Sequence, residues 1–127
     1  MRDRGSAAIL MAVFAGVVAV VGMGSASVGL LLSGRELAAT AAEAASLAAA
    51  VATYPPAASG APVSVASEMA EENGARLESC RCAVDSSLRV RQATVVTAVI
   101  TEVPLFGTAV IRGSATAEFD PAVWLGR

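Results

Sequence analysis

The most constraining feature of this chain is a block without any charged side chain that runs from Gly5 to Gly34. Charged residues lie on both sides of it, at positions 2–4 and 35–36. About 20 apolar residues suffice to cross the roughly 30 Å hydrocarbon core of a bilayer, whereas a helix of this length extends about 45 Å. The block can therefore span a membrane with residues to spare.

The basic residues around the block predict its orientation. Arg2 and Arg4 lie immediately before it, whereas Arg35 after it is neighboured by Glu36. An excess of basic residues favours the cytoplasmic side of a membrane span. We therefore expect a single-pass protein of the cell membrane, with residues 1–5 in the cytoplasm, a transmembrane helix over residues 6–34, and the chain after it outside the cytoplasm.

A secretory signal peptide is the competing interpretation of the same block. The apolar stretch Ala7–Val21 and the small residues 24–26 fit such a signal, with cleavage near Ala26. The chain would then be a small secreted binding module or effector. However, Val28 and Leu30–Leu32 continue the apolar run beyond the cleavage point, which favours an anchor.

Small side chains recur every three or four residues within the block and fall on one face of the predicted helix. In lipid, close packing of small residues is a main source of affinity between helices. A segment rich in alanine and glycine also forms such a face by composition alone. The predicted helix-packing face consists of Ala8, Ala12, Gly16, Ala19, Gly22, Ala26, Gly29 and Ser33.

An alanine-rich helical extension is predicted over residues 35–54. No glycine or proline occurs between Gly34 and Pro55, and alanine is the best helix former. A heptad repeat within the extension is typical of a narrow coiled-coil seam. The residues of this heptad seam are Leu37, Thr40, Ala44, Leu47, Val51 and Tyr54. Two prolines then end the helix, and residues 55–61 are the predicted linker.

Residues 62–120 predict a small extracytoplasmic head, followed by a tail over residues 121–127 that either docks through Trp124 or frays. Proline at the start and Asn73-Gly74 at the end predict a short helix over Pro62–Asn73. Segments rich in Val, Thr and Ile then predict three antiparallel strands. Those strands are Arg76–Val84, Leu88–Val103 and Thr108–Phe119, separated by Asp85–Ser87 and Pro104–Gly107.

The last predicted strand alternates cleanly between apolar and polar residues, so one of its faces should be buried and the other solvated. The middle strand mixes the two types on both faces, which indicates a bulge or a strand covered on both sides. The predicted fold class is α+β: a long N-terminal transmembrane helix extended as a stalk, a short second helix and a small antiparallel three-stranded sheet.

The composition excludes several kinds of active site. The chain contains no histidine and no lysine, so the Ser-His-Asp, Cys-His and Ser-Lys arrangements cannot form within it. A net charge of −2 gives no electrostatic case for nucleic-acid binding. Arg76, Arg81, Arg89 and Arg91 are expected on a solvated strand face. We expect no enzymatic activity, no cofactor and no small-molecule substrate.

Cys80 and Cys82 form the one distinctive pair of reactive side chains. On a strand their side chains share a face, but the extended backbone holds their Cα atoms near the upper limit for an unstrained disulfide. An intramolecular bridge therefore needs a turn or bulge. A bridge to another chain, or two buried free thiols, needs no distortion and is favoured. A soft metal ion would lack a third ligand, so no metal site is predicted.

Four segments share features with a known group of proteins. They are Asp3-Arg4-Gly5-Ser6-Ala7 at the start of the span, RELAATAAEAASLAAA from Arg35 to Ala50, Asn73-Gly74-Ala75-Arg76-Leu77, and Ser79-Cys80-Arg81. Together with the valine-rich strands, they resemble TadE/TadG-like proteins of tight-adherence (Flp) pilus assembly, particularly the short actinobacterial members. Glu43 stands where that family usually has Asp.

This resemblance implies a pilin-like envelope protein without enzymatic activity, associating with itself or with other components of a pilus or secretion apparatus. It also implies Gly5 as a candidate processing site. Pilin-like proteins have a glutamate five residues after the processing glycine, whereas this chain has Leu10 there. The resemblance therefore implies a membrane-anchored accessory protein more than a subunit of a filament core.

Overall fold

In the computed structural model the chain is described over residues 3–104 and 106–126, with side chains from Ser6 onward. The predicted α+β class is confirmed, because a long apolar N-terminal helix is followed by a shorter helix and a three-stranded antiparallel sheet. The elements are α1 (Asp3–Ala52), a 3-10 turn (Pro55–Ala57), α2 (Pro62–Glu72), β1 (Arg76–Arg81), β2 (Arg91–Val103), β3 (Gly107–Phe119) and α3 (Pro121–Trp124).

The sheet has the order β1-β2-β3, and β2 and β3 form a long hairpin. They pair in unbroken register from Arg91 opposite Phe119 to Val103 opposite Gly107. The predicted alternation of β3 is confirmed, since its more buried residues are the odd-numbered ones. The bulge predicted for the middle strand lies in β1 instead, at Glu78. On the outer face of β2, Ala98 is buried whereas Ile100 is 60% exposed, so β2 is covered on both sides only in part.

The second half of α1 is the core helix of the head. It lies across β2 and β3 on one side and α2 on the other, and its alanines are buried against Ala66 and Ala70 of α2 and Ala93 and Val95 of β2. The buried alanines of α1 are Ala38, Ala41, Ala42, Ala45, Ala49, Ala50 and Ala52. The predicted helical extension is thus confirmed as a continuation of the apolar block, but it is packed within the head.

Helix and sheet approach most closely at Ala38. The Thr97 hydroxyl donates a hydrogen bond to the Ala38 carbonyl at 2.7 Å. A Cβ added to Gly113 of β3 would collide with that carbonyl and would lie 2.6 Å from the Ala39 nitrogen. One turn earlier, a Cβ on Gly34 would lie 2.6 Å from Cδ1 of Ile111. Small residues on both elements therefore set the distance between them.

Much of the heptad seam remains on the surface. Leu37, Leu47 and Val51 are exposed, with Leu47 at 61%. Tyr54 departs from the seam, because it lies beyond the end of α1 and is buried between Phe119 and Trp124 at ring-centroid distances of 6.2 Å. The sheet covers the alanine face of α1, so the larger apolar residues face outward.

The tail docks, as one of the two predicted alternatives stated. Asp120 begins α3 by accepting a hydrogen bond from the backbone nitrogen of Ala122 at 2.9 Å, which is the usual role of an N-terminal capping residue. The short helix then brings Trp124 edge-on to Tyr54.

Candidate membrane-interaction site

The first half of α1 presents its apolar side chains to the surroundings on all sides. Ile9, Phe14, Val20 and Leu32 are among its exposed large residues. The most apolar 18-residue window of the helix has a mean hydropathy of 2.4, and none of that window is buried within the chain. The helix is thus long and apolar enough to cross a membrane, which indicates membrane association.

The predicted helix-packing face lies on this exposed half. A Cβ added to Gly16, Gly22 or Gly29 would meet nothing within 4 Å, so these positions are open to a second helix. The chain itself supplies no such helix within its described residues, and pairing through this face stays a prediction. Gly5, the candidate processing site, lies within α1, but its surroundings fall outside the described part of the chain.

The tip of the β2–β3 hairpin lies beside the apolar half of α1. A groove of about 230 Å³ separates Phe106 from the helix residues Val20, Met23, Gly24 and Ser27. Phe106 is 82% exposed, whereas Ser27 is buried to 9% exposure. The Ser27 hydroxyl donates to the Met23 carbonyl at 2.9 Å, so this polar group is satisfied inside the helix.

The turn itself follows the prediction from Pro104–Gly107, although Leu105 is outside the described residues. The Phe106 nitrogen donates to the Val103 carbonyl at 3.1 Å, which closes a tight turn. Gly107 has φ +81°, a left-handed conformation that favours glycine. The sequence therefore indicated the turn, but its position along α1 depends on the contacts of Gly34 with the sheet and of Gly113 with α1.

Charged side chains lie away from the hairpin tip, on the outer face of the sheet. Arg112 donates to the Glu78 carboxylate at 2.6 Å, and this hydrogen bond holds the pKa of Glu78 below its usual value. Glu102 is exposed two residues before Pro104. The tip is therefore apolar, and the first described charge on β2 behind it is a carboxylate.

A buried arginine organises the end of the head remote from the hairpin tip. Arg91 is only 9% exposed, which contradicts its predicted place on a solvated strand face. Its guanidinium donates to the carbonyls of Asp85, Ser87 and Arg89 in the loop, and to that of Thr53 at 3.3 Å. It also lies 5.3 Å from the centre of the Tyr54 ring, a cation–π contact.

The loop around Arg91 is longer than the sequence predicted. β1 ends at Arg81 instead of Val84, and β2 begins at Arg91 instead of Leu88. Within the loop the carbonyls of Asp85, Ser87 and Arg89 accept from the Arg91 guanidinium, and the Asp85 nitrogen donates to the Thr53 carbonyl at 3.0 Å, so these groups do not pair within the sheet. The Asp85 side chain further fixes the loop by accepting bonds from the Ser87 nitrogen and hydroxyl, and these bonds lower the pKa of Asp85.

Cys80 and Cys82 form an intramolecular disulfide. The preference for an interchain bridge or for free thiols is therefore wrong. The strand ends at Arg81, so the backbone is not extended through Cys82, and the two Cα atoms lie 5.5 Å apart. That separation is within the usual range for a disulfide. The prediction against an intramolecular disulfide assumed that the extended strand continued through Cys82 to Val84.

In residues 3–104 and 106–126 no group of three or more His, Cys, Asp or Glu side chains is placed to hold a metal ion. Comparison with protein-family models, with curated proteins and with solved structures finds no match to this chain.

Proposed function

We propose that this chain is a single-pass membrane protein that acts through interactions of its helix and its head. The observation that supports the proposal most strongly is the division of α1 into two halves. Residues before Gly34 expose large apolar side chains, while residues from Ala38 onward form the core of the head. A soluble protein would leave a large apolar surface in water, whereas a bilayer would cover it.

The orientation follows from the basic residues at the start of the chain. Arg2 and Arg4 precede the span, so the N-terminus is cytoplasmic and the head is extracytoplasmic. The disulfide between Cys80 and Cys82 supports this orientation, because disulfides persist mainly in oxidising compartments outside the cytoplasm.

The class of function that fits this arrangement is an accessory protein of a Flp-type pilus or a related secretion apparatus, similar to TadE-like proteins. The resemblance of the segments around Gly5 and Glu43 supports the assignment. Two surfaces are available for assembly. One is the helix-packing face of the span, and the other is the exposed part of the heptad seam, represented by Leu47.

Photocrosslinking in native membranes tests these two surfaces. A photoreactive amino acid at Ala12, on the helix-packing face, is compared with one at Phe14, which faces the opposite side of the helix. In the head, Leu47 is compared with Val63 of α2, since both side chains are exposed. We expect dimer or partner adducts at Ala12 and Leu47 and few at the two controls. An absence of adducts, or equal yields at all four positions, would contradict assembly through these surfaces.

The second candidate function is a secreted binding module released by cleavage near Ala26. The small residues 24–26 support it. The two candidates differ in the mature N-terminus: release predicts a chain starting at Ser27 in the culture fluid. Anchoring predicts an intact chain, or one starting at Ser6, in the membrane.

A further inference from the structure

The uncharged block is longer than a membrane requires, and the excess has a defined place in the fold. The stretch from Gly5 to Gly24 is about 30 Å long as a helix, which matches the hydrocarbon thickness of a bilayer. The remaining stretch from Gly24 to Gly34 adds about 15 Å. This second stretch is the part of the apolar block that the β2–β3 hairpin accompanies.

The hairpin covers most of the same distance from its own side. Thr101 lies level with Gly34, because its Oγ1 would be 2.9 Å from a Cβ on that glycine. Thr101 pairs with Ala109 across the hairpin, and from Ala109 to Phe106 the strand advances about 10 Å. The backbone of the tip is therefore about level with Ser27, and the Phe106 side chain extends the tip toward Gly24. Phe106 indeed lines a groove with Gly24 and Met23. The tip therefore ends at the height where a membrane centred on the first part of the block would begin.

We infer that the hairpin tip, described at Pro104, Phe106 and Gly107, is a second membrane contact, with the Phe106 ring in the boundary region of the leaflet nearest the head. The inference rests on the proposed function, since it requires α1 to span the bilayer. Phe106 is 82% exposed and its neighbours in the tip carry no charge. Transfer of an aromatic ring from water into this region is favourable, because it lowers the free energy of the system.

Lipid is favoured over a protein as the occupant because of the position of the groove. Gly24 lies at the edge of the hydrocarbon region, so lipid surrounds the exposed helix there wherever no protein covers it. The groove between Phe106 and Val20, Met23 and Gly24 opens onto that surface, and its volume of about 230 Å³ admits part of an acyl chain. A protein partner would first have to displace lipid there.

Glu102 limits how deeply the tip can enter. Its exposed carboxylate lies two residues behind Pro104, about 7 Å farther from the tip along the strand. A charged side chain is costly in the hydrocarbon region, so the bilayer surface lies between Glu102 and the turn. Span and tip together hold the head against the membrane at two points.

Depth-dependent fluorescence quenching tests the inference. Trp124→Phe removes the single native tryptophan, and Phe106→Trp then reports from the tip. Val110→Trp is the matched control, since Val110 is exposed on the same hairpin about 13 Å behind Phe106. Val13→Trp reports from the span. The full chain is reconstituted in phosphatidylcholine vesicles with lipids brominated near the headgroup or near the chain end.

We expect shallow brominated lipid to quench Trp at position 106 about threefold more than at position 110, and iodide in the water to show the reverse. Lipid quenching at 106 no greater than at 110, with strong deep quenching at 13, would overturn the inference and leave the span intact. Absence of lipid quenching at position 13 would instead contradict the span, and the inference would fall with it.

Discussion

At the scale of single residues, the contact between Gly113 and Ala38 determines how closely α1 packs on the sheet. A side chain at Gly113 would meet the backbone of α1, which cannot rotate away. A side chain at Gly34 would meet the end of Ile111, which can move. The contact is strengthened by the Thr97 hydroxyl, which is buried and satisfied by the Ala38 carbonyl.

A graded series of Gly→Ala variants tests this contact. Gly113→Ala should lower the free energy of unfolding of the head by about 3 kcal/mol, because the helix must shift away from the sheet. Gly34→Ala should change it by less than about 1 kcal/mol, since gained helix propensity offsets the local crowding. The control is Gly29→Ala, whose added methyl group meets open space and should leave the stability of the head unchanged. Denaturant titration in detergent measures all three variants. Equal effects at positions 113 and 29 would refute the close packing.

Arg91 acts at the other end of the head by satisfying carbonyls that the loop cannot pair for itself. A lysine there keeps the charge but lacks the planar fork that reaches several acceptors at once. Arg91→Lys should therefore cost about 2 kcal/mol, because buried carbonyls lose their donors.

The matched control is Arg89→Lys, since Arg89 is exposed and should tolerate the change within about 0.5 kcal/mol. Hydrogen exchange of residues 82–90 provides the second readout, with faster exchange expected only for Arg91→Lys. Similar protection in both variants would show that Arg91 does not hold the loop.

At the scale of elements, α1 buries its small residues and exposes its large ones. Periodicity in the sequence predicted a seam from the large residues Leu37, Leu47 and Val51. The structure uses the alanines instead, because the close approach of Gly113 and Thr97 to the backbone of α1 at Ala38 leaves no room for bulky side chains on that face. The heptad spacing of the large residues is present in the sequence. Which face of α1 the sheet covers, however, depends on β2 and β3, which lie far along the chain.

A large side chain on the alanine face of α1 and a small one on the heptad seam test this arrangement. Ala45→Leu should destabilise the head by about 3 kcal/mol, because Ala45 is fully buried and has no room for three more carbon atoms. Leu47→Ala, two residues away, should change the stability by no more than about 0.5 kcal/mol. Thermal unfolding in detergent measures both. A larger loss for Leu47→Ala than for Ala45→Leu would show that the seam is the core face.

The elements that local sequence determines were predicted well, and those that depend on distant contacts were not. Pro62, Asn73 and Gly74 fixed the limits of α2, and alternation identified the inner face of β3. The ends of β1 and β2 were missed because the loop between them bonds to Thr53 and to the Arg91 guanidinium instead of continuing the sheet, and no local pattern encodes those contacts. The disulfide was missed for the same reason, since it depends on where β1 stops.

The hairpin tip illustrates the limit most clearly for the candidate site. Pro104 and Gly107 predicted a turn, and Phe106 stood out only as one apolar residue within it. Its place beside Met23 follows from the register of β2 on β3 and from the crossing of the sheet over α1 at Ala38. No pattern within a few residues of Phe106 encodes that position.

At the scale of the whole molecule, one helix serves two environments. Its first half is exposed and apolar, while its second half is the core of an α+β head, and it runs from Asp3 to Ala52 as one element. A rigid connection of this kind would fix the head relative to the bilayer, in contrast to a head on a flexible linker. The proposed function therefore requires the first half of α1 to remain attached to the head and embedded in the membrane.

Intact mass analysis of alkali-washed membranes tests this claim most directly. The native membrane fraction is stripped of peripheral proteins at high pH, and the masses in the pellet, the wash and the culture fluid are compared. If α1 anchors the head in the membrane, the pellet contains the full chain or a chain starting at Ser6. A chain starting at Ser27 in the culture fluid, or a full-length chain free in the cytosol, would contradict this anchoring.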